Sequence, residues 1–379
     1  MGGVGPHKAL QIPPSAHQFF FFFNHQIKMG DKVLNTKGME YRFLGNTGML
    51  VSVLSLGGWL TAGGSAADKT FKEIMLESWK HGINFFDVAE AYAGGKAETV
   101  LGNVLKEVGW DRVSYCISTK IFFGDSSAPQ PNAKGVSRKH LMEAMNKCLK
   151  RLQLDYVDVI MAHRPDPLTP MEETVRAFTQ IINDGKAHYW GTSEWNSFQI
   201  EHAHHIATKH NLIAPICDQP QYSLLEREKV EKDFAPLYKL YKYGTTVFSP
   251  LKQGFLSGKY NDGVPDDSRF KTGDMKHMGD WLKTDAGKVE IEKVKKLGDF
   301  AKTLNTDTAT LALAWVIHNP NVSTCILGAS KADQITRNMK ALEVYKKLTT
   351  QDIQKIEDIV KNKPEEESLY GRWPAGVPQ

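Results

Sequence analysis

From residue 39 onward the chain alternates short apolar runs with longer stretches in which apolar residues recur every three or four positions. The first pattern is that of a buried strand, the second that of a helix laying one face on a core. Residues 53–58 precede a helical stretch near 68–81, and residues 84–88 precede one near 96–107. The pairs 115–121 with 137–152, 156–163 with 171–184 and 187–192 with 197–210 repeat this order. Residues 216–219 lead into a helix near 226–243, residues 245–250 into a long connection and a helix near 290–304, and residues 323–327 into a helix near 331–343. Eight strand–helix units in succession imply parallel strands joined by right-handed crossovers. Such units suit either a closed barrel or an open doubly wound sheet. An open sheet that binds a dinucleotide carries GxGxxG after an early strand, and the sequence lacks that motif. The expected fold is therefore α/β, a (β/α)8 TIM barrel.

Residues 310–318 and 348–360 fall outside the eight units and read as extra helices packed on the barrel. Residues 1–38 differ in kind, with Pro13, Pro14, a phenylalanine run at 19–23 and no acid before Asp31. They read as a disordered N-terminal extension or an over-long reading frame, with Met29 or Met39 as alternative starts. Organelle targeting or partner binding is the competing reading, although five apolar residues are too few for a signal-peptide core and Gly2 lacks the Ser or Thr that myristoylation needs. Residues 364–379 carry Pro364, an acidic run at 365–367 and Pro374, and read as an irregular tail. One barrel domain, residues 39–363, remains.

Composition narrows the function classes. The net charge is only +4, with basic and acidic residues interleaved, so nucleic acid is not an expected partner. No apolar run reaches the about 18 residues of a membrane span. Cys116, Cys148, Cys217 and Cys325 are far apart, which suggests neither a disulfide framework nor a zinc site and fits a reducing, cytoplasmic compartment.

In a (β/α)8 barrel, side chains at the C-terminal ends of the strands face the active site. The second strand ends in Asp87, with Tyr92 following; the third ends in Lys120 and the fourth in His163. An Asp after a strand is commonly a helix cap and a lone Tyr is usually packing. Asp, Lys, Tyr and His at three consecutive strand ends make a stronger pattern. A buried Asp–Lys ion pair with Tyr and His as bystanders is the purely structural alternative.

These residues stand in "DVAEAY" (87–92), "STKI" (118–121) and "HRPDP" (163–167), which together resemble the catalytic tetrad of the aldo-keto reductases. The opening "YRFLGNTGMLVSVLSLGGW" is similar to that superfamily's opening, and "HRPDPLTPMEETVRAF", "YWGTSEW" and "SRKHL" resemble the branch that holds the beta subunits of voltage-gated potassium channels. The resemblance spans about residues 39–360. It implies reduction of aldehydes or ketones with NADPH, Tyr92 acting as general acid, Lys120 lowering the tyrosine pKa, Asp87 holding Lys120, and His163 orienting the substrate oxygen or relaying a proton. Animal channel subunits typically carry Asn at the position of His163, and the His form favours a complete reductase tetrad.

The same resemblance implies a dinucleotide site. Trp59 would flank the nicotinamide and Phe248 would stack on it, while Ser193, Glu194 and Gln219 would address its carboxamide. Glu194 departs from the Asn or Arg of many relatives. Ser249, Pro250, Leu251, Lys252, Gly254, Ser257 and Lys259 would wrap the pyrophosphate. Gly328, Ser330, Lys331, Gln334, Arg337 and Asn338, with Arg269 from the long connection, would hold the adenosine 2′-phosphate and favour NADPH over NADH. Arg337 stands where relatives often have Glu, and exposure to solvent is its alternative. The implied partners are a small carbonyl substrate, further copies of the chain in a homotetramer and a potassium channel alpha subunit.

Other features read as bland. Residues 254–259 spell GxxxGK, one residue short of a P-loop and followed by Tyr260 rather than Ser or Thr. The histidines of "EHAHH" (201–205) and His210 lie on a predicted surface helix without an HExxH pattern, so no metal is expected. Cys217 reads as a buried strand residue rather than a redox sensor. A Schiff-base lyase using Lys120 is a rival chemistry from another class of barrel enzyme. The connection 253–290 and the tail are expected to shape the substrate pocket.

Overall fold

The computed structural model describes residues 32–59, 65–125, 130–266, 268, 270–271 and 275–365. A short hairpin comes first, β1 (Tyr41–Phe43) pairing antiparallel with β2 (Leu50–Ser52). Eight parallel strands then close into a barrel: β3 (Leu54–Gly57), β4 (Phe85–Asp87), β5 (Cys116–Ile121), β6 (Val157–Ala162), β7 (Ala187–Ser193), β8 (Cys217–Gln219), β9 (Gly244–Val247) and β10 (Thr324–Leu327). Neighbours follow chain order and β10 completes the ring by pairing with both β9 and β3. The expected (β/α)8 fold is the observed one.

Helices α1 (Ser65–Lys80), α2 (Lys96–Val108), α3 (Arg138–Leu152), α4 (Met171–Asn183), α5 (Ser197–His210) and α6 (Ala235–Tyr241) return the chain after β3 to β8. The sequence marks their starts. Ser137 accepts from the His140 amide to begin α3, and Asn196 and Gln199 form a reciprocal capping box at α5. After β9 come α7 (Lys276–Trp281), α8 (Asp285–Thr303) and α9 (Thr308–His318); after β10 come α10 (Ala332–Asn338), α11 (Ala341–Tyr345) and α12 (Thr350–Val360).

Two expectations need correction. The helix expected near 290–304 as the barrel's own is α8, which packs on α9 and α12, whereas the supposed extra helix α9 lies directly against β10. Apolarity explains the exchange: Leu311 through Ile317 are all buried, while α8 is amphipathic and buries only Gly287, Val294, Leu297 and Ala301. The helix expected over 226–243 is broken into a wide turn, Lys229–Asp233, followed by α6. Pro236, in the first turn of α6, lacks the amide that would continue a helix from upstream. The hairpin was not expected at all.

That hairpin stoppers one end of the barrel. Leu44 and Val51 are fully buried with Phe85, Cys116, Val159, Met161 and Cys217 in an apolar plug. Arg42 fastens it from outside, donating to the carbonyls of Ile317 (2.8 Å), Asn319 (3.1 Å) and Val322 (2.8 Å) around the end of α9. The Ile317 carbonyl is among those that a helix terminus leaves without an intrahelical partner. Alternation along the strands then sets a gradient: Phe85 and Cys116 belong to the plug, and Asp87, Ser118 and Lys120, at even spacing from them, occupy the other end of the same interior face.

Residues 1–31, most of the expected extension, and 366–379, most of the expected tail, lie outside the described residues. Residues 32–38 touch the barrel domain: Leu34 packs on the core and Asn35 donates to the Lys80 carbonyl at 2.9 Å. No helix among the described residues is long and apolar enough to cross a membrane.

The plug needs backbone contact at Gly244, where a Cβ would lie 2.5 Å from the Gly45 nitrogen and 2.9 Å from its Cα, whereas at Gly48 nothing lies within 4 Å. We expect Gly244→Ala to lower stability in urea by about 1–3 kcal/mol, the usual effect of overpacking, and Gly48→Ala to leave it within about 0.5 kcal/mol. Equal effects of the two substitutions would show that the hairpin does not press on the barrel.

Candidate active site

Where the interior turns polar, one lysine organises the surroundings. Lys120 is wholly buried, and its Nζ donates to Asp87 Oδ2 at 2.6 Å, to the Val88 carbonyl at 2.9 Å and to the Tyr92 hydroxyl at 3.2 Å. Asp87 is fixed in turn: its Oδ1 accepts from Ser118 Oγ at 2.6 Å and from Gln219 Nε2 at 3.0 Å. Tyr92 opens a tight turn in which Ala93, Gly94 and Gly95 all have positive φ (51°, 62° and 86°) before α2 begins. The Arg151 side chain lies where a Cβ on Gly95 would be, 2.9 Å away, and reaches past it to the buried Glu98 at 2.6 Å. Glu98 also accepts from Thr119, the neighbour of Lys120 on β5. Tyrosine and lysine are thus anchored to the same strand.

His163 completes the group. Its ring stands edge-on to Tyr92, with centroids 5.6 Å apart, and edge-on to Phe123 at 5.0 Å. Its Nδ1 is buried and has no hydrogen-bond partner among the described residues. The structure therefore brings together all four residues expected to be catalytic.

Burial and charge compete in this cluster. Burial alone would discharge Lys120, but Asp87 and Tyr92 outweigh it and hold the ammonium above its ordinary pKa. A charged, paired amine is a poor nucleophile, which weighs against the Schiff-base chemistry. For Tyr92 the sequence-based expectation was a lowered pKa. Burial instead pushes the phenol up, and the pull of Lys120 offsets only part of that rise. Tyr92 is held as a protonated phenol beside a cation that would stabilise the phenolate left after proton loss. Burial, together with the charges of Lys120 and Arg164, drives His163 down to about 2, so the imidazole is neutral at ordinary pH.

The residues expected at a dinucleotide are placed unevenly. Ser193 and Gln219 are buried at adjacent strand ends, Ser193 Oγ donating to the Gln219 carbonyl at 3.1 Å. Trp59 is exposed beyond β3, and Phe248 extends β9 by bridging to Gln221. Glu194 turns elsewhere, since its backbone is left-handed (φ 60°) and its carboxylate accepts from the Gln221 amide at 2.6 Å and pairs with Lys229 at 2.9 Å. The segment after β9 is a knot of left-handed residues, Ser249, Lys252, Gln253, Gly254 and Gly258, with Pro250 buried and Leu251 half-buried. The amides of Lys252, Gln253, Gly254 and Gly258 donate inside this loop, to the Ser249 carbonyl, Ser249 Oγ, the Leu251 carbonyl and the Phe255 carbonyl. Lys252 is paired with Glu226 at 3.2 Å, and Ser257 donates to the Gly254 carbonyl at 2.7 Å, whereas Lys259 is exposed. After β10, Gly328, Ser330 and Lys331 are exposed, Gln334 accepts from the Ser330 amide at 2.7 Å, and Asn338 ends α10. Arg337 pairs with Asp333 on the surface at 3.0 Å, its solvent-facing alternative. Arg269 lies outside the described residues. Exposed lysines and hydroxyls beside a left-handed loop fit the phosphates of a dinucleotide; Glu194 and Arg337, as placed, contribute nothing to that fit.

Sequence reasoning missed two residues. Glu90 is buried and accepts from the amides of Phe122 (2.8 Å) and Gly124 (2.9 Å), which fixes the loop after β5. Its signal was an acid three residues after Asp87 in an apolar context. Arg164 follows His163 directly and reaches Ser193 Oγ at 3.2 Å. The α5 histidines do not converge: His204 stacks on Tyr241 at 3.9 Å, His202 lies near Phe198 and His210 beside Glu172. A cavity of about 530 Å³ sits on the flank between Tyr238, Trp315 and Ile353, away from the strand ends and their chemistry.

A profile of the Aldo/keto reductase family matches residues 53–361. The chain belongs to that family. It is 54% identical over 329 residues, 86% of this chain and 95% of the relative, to a Schizosaccharomyces pombe protein named by inference as a voltage-gated potassium channel beta subunit. Proteins given the same kind of name in Oryza sativa and Arabidopsis thaliana are 45% and 46% identical over 333 residues, 88% of this chain and 100% of each relative. The family and the branch expected from the motifs are those found. The four strand-end residues therefore sit in an oxidoreductase barrel, at the end where such barrels do their chemistry.

The state of His163 has a measurable consequence. Its folded pKa lies below its unfolded one, so the unfolded chain binds the extra proton and stability falls as pH drops below about 6.5. Asp218, buried on the opposite face of β8 from Gln219 and pushed up to about 7 by that burial, acts in the opposite sense over the same window in any variant. We expect His163→Asn to lose less stability than the unsubstituted protein between pH 7.5 and 5, by up to about 2 kcal/mol, read from urea midpoints. Parallel losses would mean that His163 accepts a proton in the folded state.

Proposed function

We propose that this chain is an NADPH-dependent reductase that converts an aldehyde or ketone to an alcohol. The observation that carries the reading is the buried Lys120 ammonium, held by Asp87 at 2.6 Å and donating to the Tyr92 hydroxyl at 3.2 Å. NADPH, when bound, supplies the hydride to the carbonyl carbon. Tyr92 donates its phenolic proton to the carbonyl oxygen as negative charge develops there. Lys120 stabilises the phenolate that remains, and Asp87 keeps Lys120 charged and aimed. His163, neutral, donates a hydrogen bond that orients the substrate oxygen without competing for the transferred proton. Ser193 and Gln219 would hold the carboxamide, Phe248 and Trp59 would border the ring, the 249–259 loop would take the pyrophosphate, and Ser330, Lys331, Gln334 and Asn338 the 2′-phosphate.

A second reading draws on the names of the relatives: a cytoplasmic NADP(H)-binding subunit of a voltage-gated potassium channel, assembled as a homotetramer. The two are compatible. Light scattering of the purified protein tests the tetramer, and co-purification with a channel alpha subunit tests the association; a monomer that captures no channel would remove this reading.

Two measurements test the first. NADPH should bind about ten- to a hundredfold more tightly than NADH, the worth of charge-assisted bonds to one phosphate, and equal affinities in a fluorescence titration would refute the 2′-phosphate assignment. Tyr92→Phe should leave the NADPH dissociation constant nearly unchanged and lower turnover of a reactive aldehyde about 10²- to 10⁴-fold. Near-normal turnover would refute the assigned acid, while tight NADPH binding with no turnover of any carbonyl by the unsubstituted protein would favour the subunit reading.

A further inference from the structure

Arg164 is the half-buried residue immediately after His163. Its Nη1 donates to the His163 carbonyl at 2.5 Å and to Ser193 Oγ at 3.2 Å, and its guanidinium carbon lies 5.7 Å from the centre of the Phe123 ring, which itself stands against His163. The guanidinium is thus part of the wall that also carries Tyr92 and His163, and its charge is felt at both.

No carboxylate among the described residues lies within the 4.0 Å of an ion pair with Arg164. The acids nearest in sequence or at neighbouring strand ends have other partners. Asp166 accepts from Val136, Leu168 and Thr169; Glu194 from Gln221 and Lys229; Glu90 from Phe122 and Gly124; Asp125 from Arg151; and Asp87 holds Lys120. Lys120 is neutralised by its own aspartate. Among the described residues, Arg164 therefore leaves an uncompensated positive charge beside His163 and Tyr92. Only Nη1 donates to described residues, and the remaining edge of the guanidinium has the fork geometry that a carboxylate accepts with two oxygens. A half-buried cation without a counter-ion is a site that gains by receiving one from solution.

We propose that Arg164 recognises a carboxylate carried by the substrate and so selects anionic carbonyl compounds, such as aldehyde or keto acids, over neutral ones. This rests on the carbonyl-reductase reading. The substrate's carboxylate pairs with the guanidinium while its carbonyl oxygen lies against Tyr92 and His163. Phe123, partly exposed beside the same histidine, supplies an apolar surface for the carbon skeleton between the two groups.

The test compares 4-carboxybenzaldehyde with 4-nitrobenzaldehyde, which share a ring and an electron-withdrawing para group but differ in charge. With the unsubstituted protein and saturating NADPH, kcat/KM should favour the carboxylated aldehyde once intrinsic reactivity is allowed for, and added salt should raise KM for that aldehyde alone. Arg164→Gln should lower kcat/KM about ten- to a hundredfold for the carboxylated aldehyde and leave the nitro compound within about threefold. Arg164→Lys, which keeps the charge but not the fork, should recover part of the loss. Equal losses for both aldehydes would overturn the proposal and make Arg164 a brace for Ser193 and the His163 carbonyl. A weakened NADPH dissociation constant with unchanged discrimination would overturn it in favour of a cofactor contact. Failure of the unsubstituted protein to reduce either aldehyde would instead remove the reductase reading, and the substrate proposal with it.

Discussion

A lysine ammonium sealed inside a closed barrel is the constraint to which the rest of the site answers. Taking such a charge out of water costs several kcal/mol, which only a close counter-ion and further hydrogen bonds can offset. Asp87 supplies the counter-ion, and the Val88 carbonyl and Tyr92 hydroxyl supply the remaining acceptors. Asp87 is prevented from turning aside by Ser118 and Gln219, which reach it from the neighbouring strand and from the far side of the barrel. Because Asp87 and Val88 are themselves buried and Tyr92 is half-buried, the network has few ways to relax. The same burial that makes the pair costly keeps Tyr92 protonated and His163 neutral, the two states that delivery of a proton to a developing alkoxide requires.

The barrel makes that arrangement possible by dividing its interior. Parallel strands in register put alternate residues inward, so a strand such as β5 contributes Cys116 to the apolar plug and Lys120 to the polar end. The β1–β2 hairpin seals the plug, which keeps water from reaching the ion pair from below. At the other end the loops are fastened by buried acids: Glu90 binds the loop after β5, and Glu98 with Arg151 ties the Tyr92 turn to Thr119. Fold stability and site geometry are joined through these contacts, and a change at Glu98 would be felt at the tyrosine.

Much of this was legible in the sequence, for reasons that differ from element to element. Strands β3 to β10 announced themselves as short apolar runs, and Asp87, Lys120 and His163 stood out because each interrupts apolarity at a strand end. The hairpin escaped notice because three-residue strands leave too little alternation to read. The roles of α8 and α9 were exchanged because a uniformly apolar helix has no face to mark it as the one against the barrel. Glu194 was legible as a departure from the family pattern, but its left-handed backbone and its pairing with Lys229 depend on contacts across 35 residues. The direction of the Tyr92 shift depends on how deeply the ring is buried, which motif reasoning does not measure. Arg164 lay in full view within "HRPDP", and what sets it apart is that no carboxylate among the described residues pairs with it, a property of three-dimensional arrangement alone.

The most direct test of the central claim is the charge on Lys120 itself. In protein labelled with ¹⁵N-lysine, the Nζ resonance assigned by its loss in Lys120→Met can be followed by NMR from pH 6 to pH 11. The account predicts an ammonium shift that persists beyond about 10.5, the ordinary lysine value, because Asp87 and Tyr92 outweigh burial. An Nζ that titrates to the neutral amine at or below pH 8 would contradict it, since Tyr92 would then lack the cation that the proton-donor role proposed for it requires.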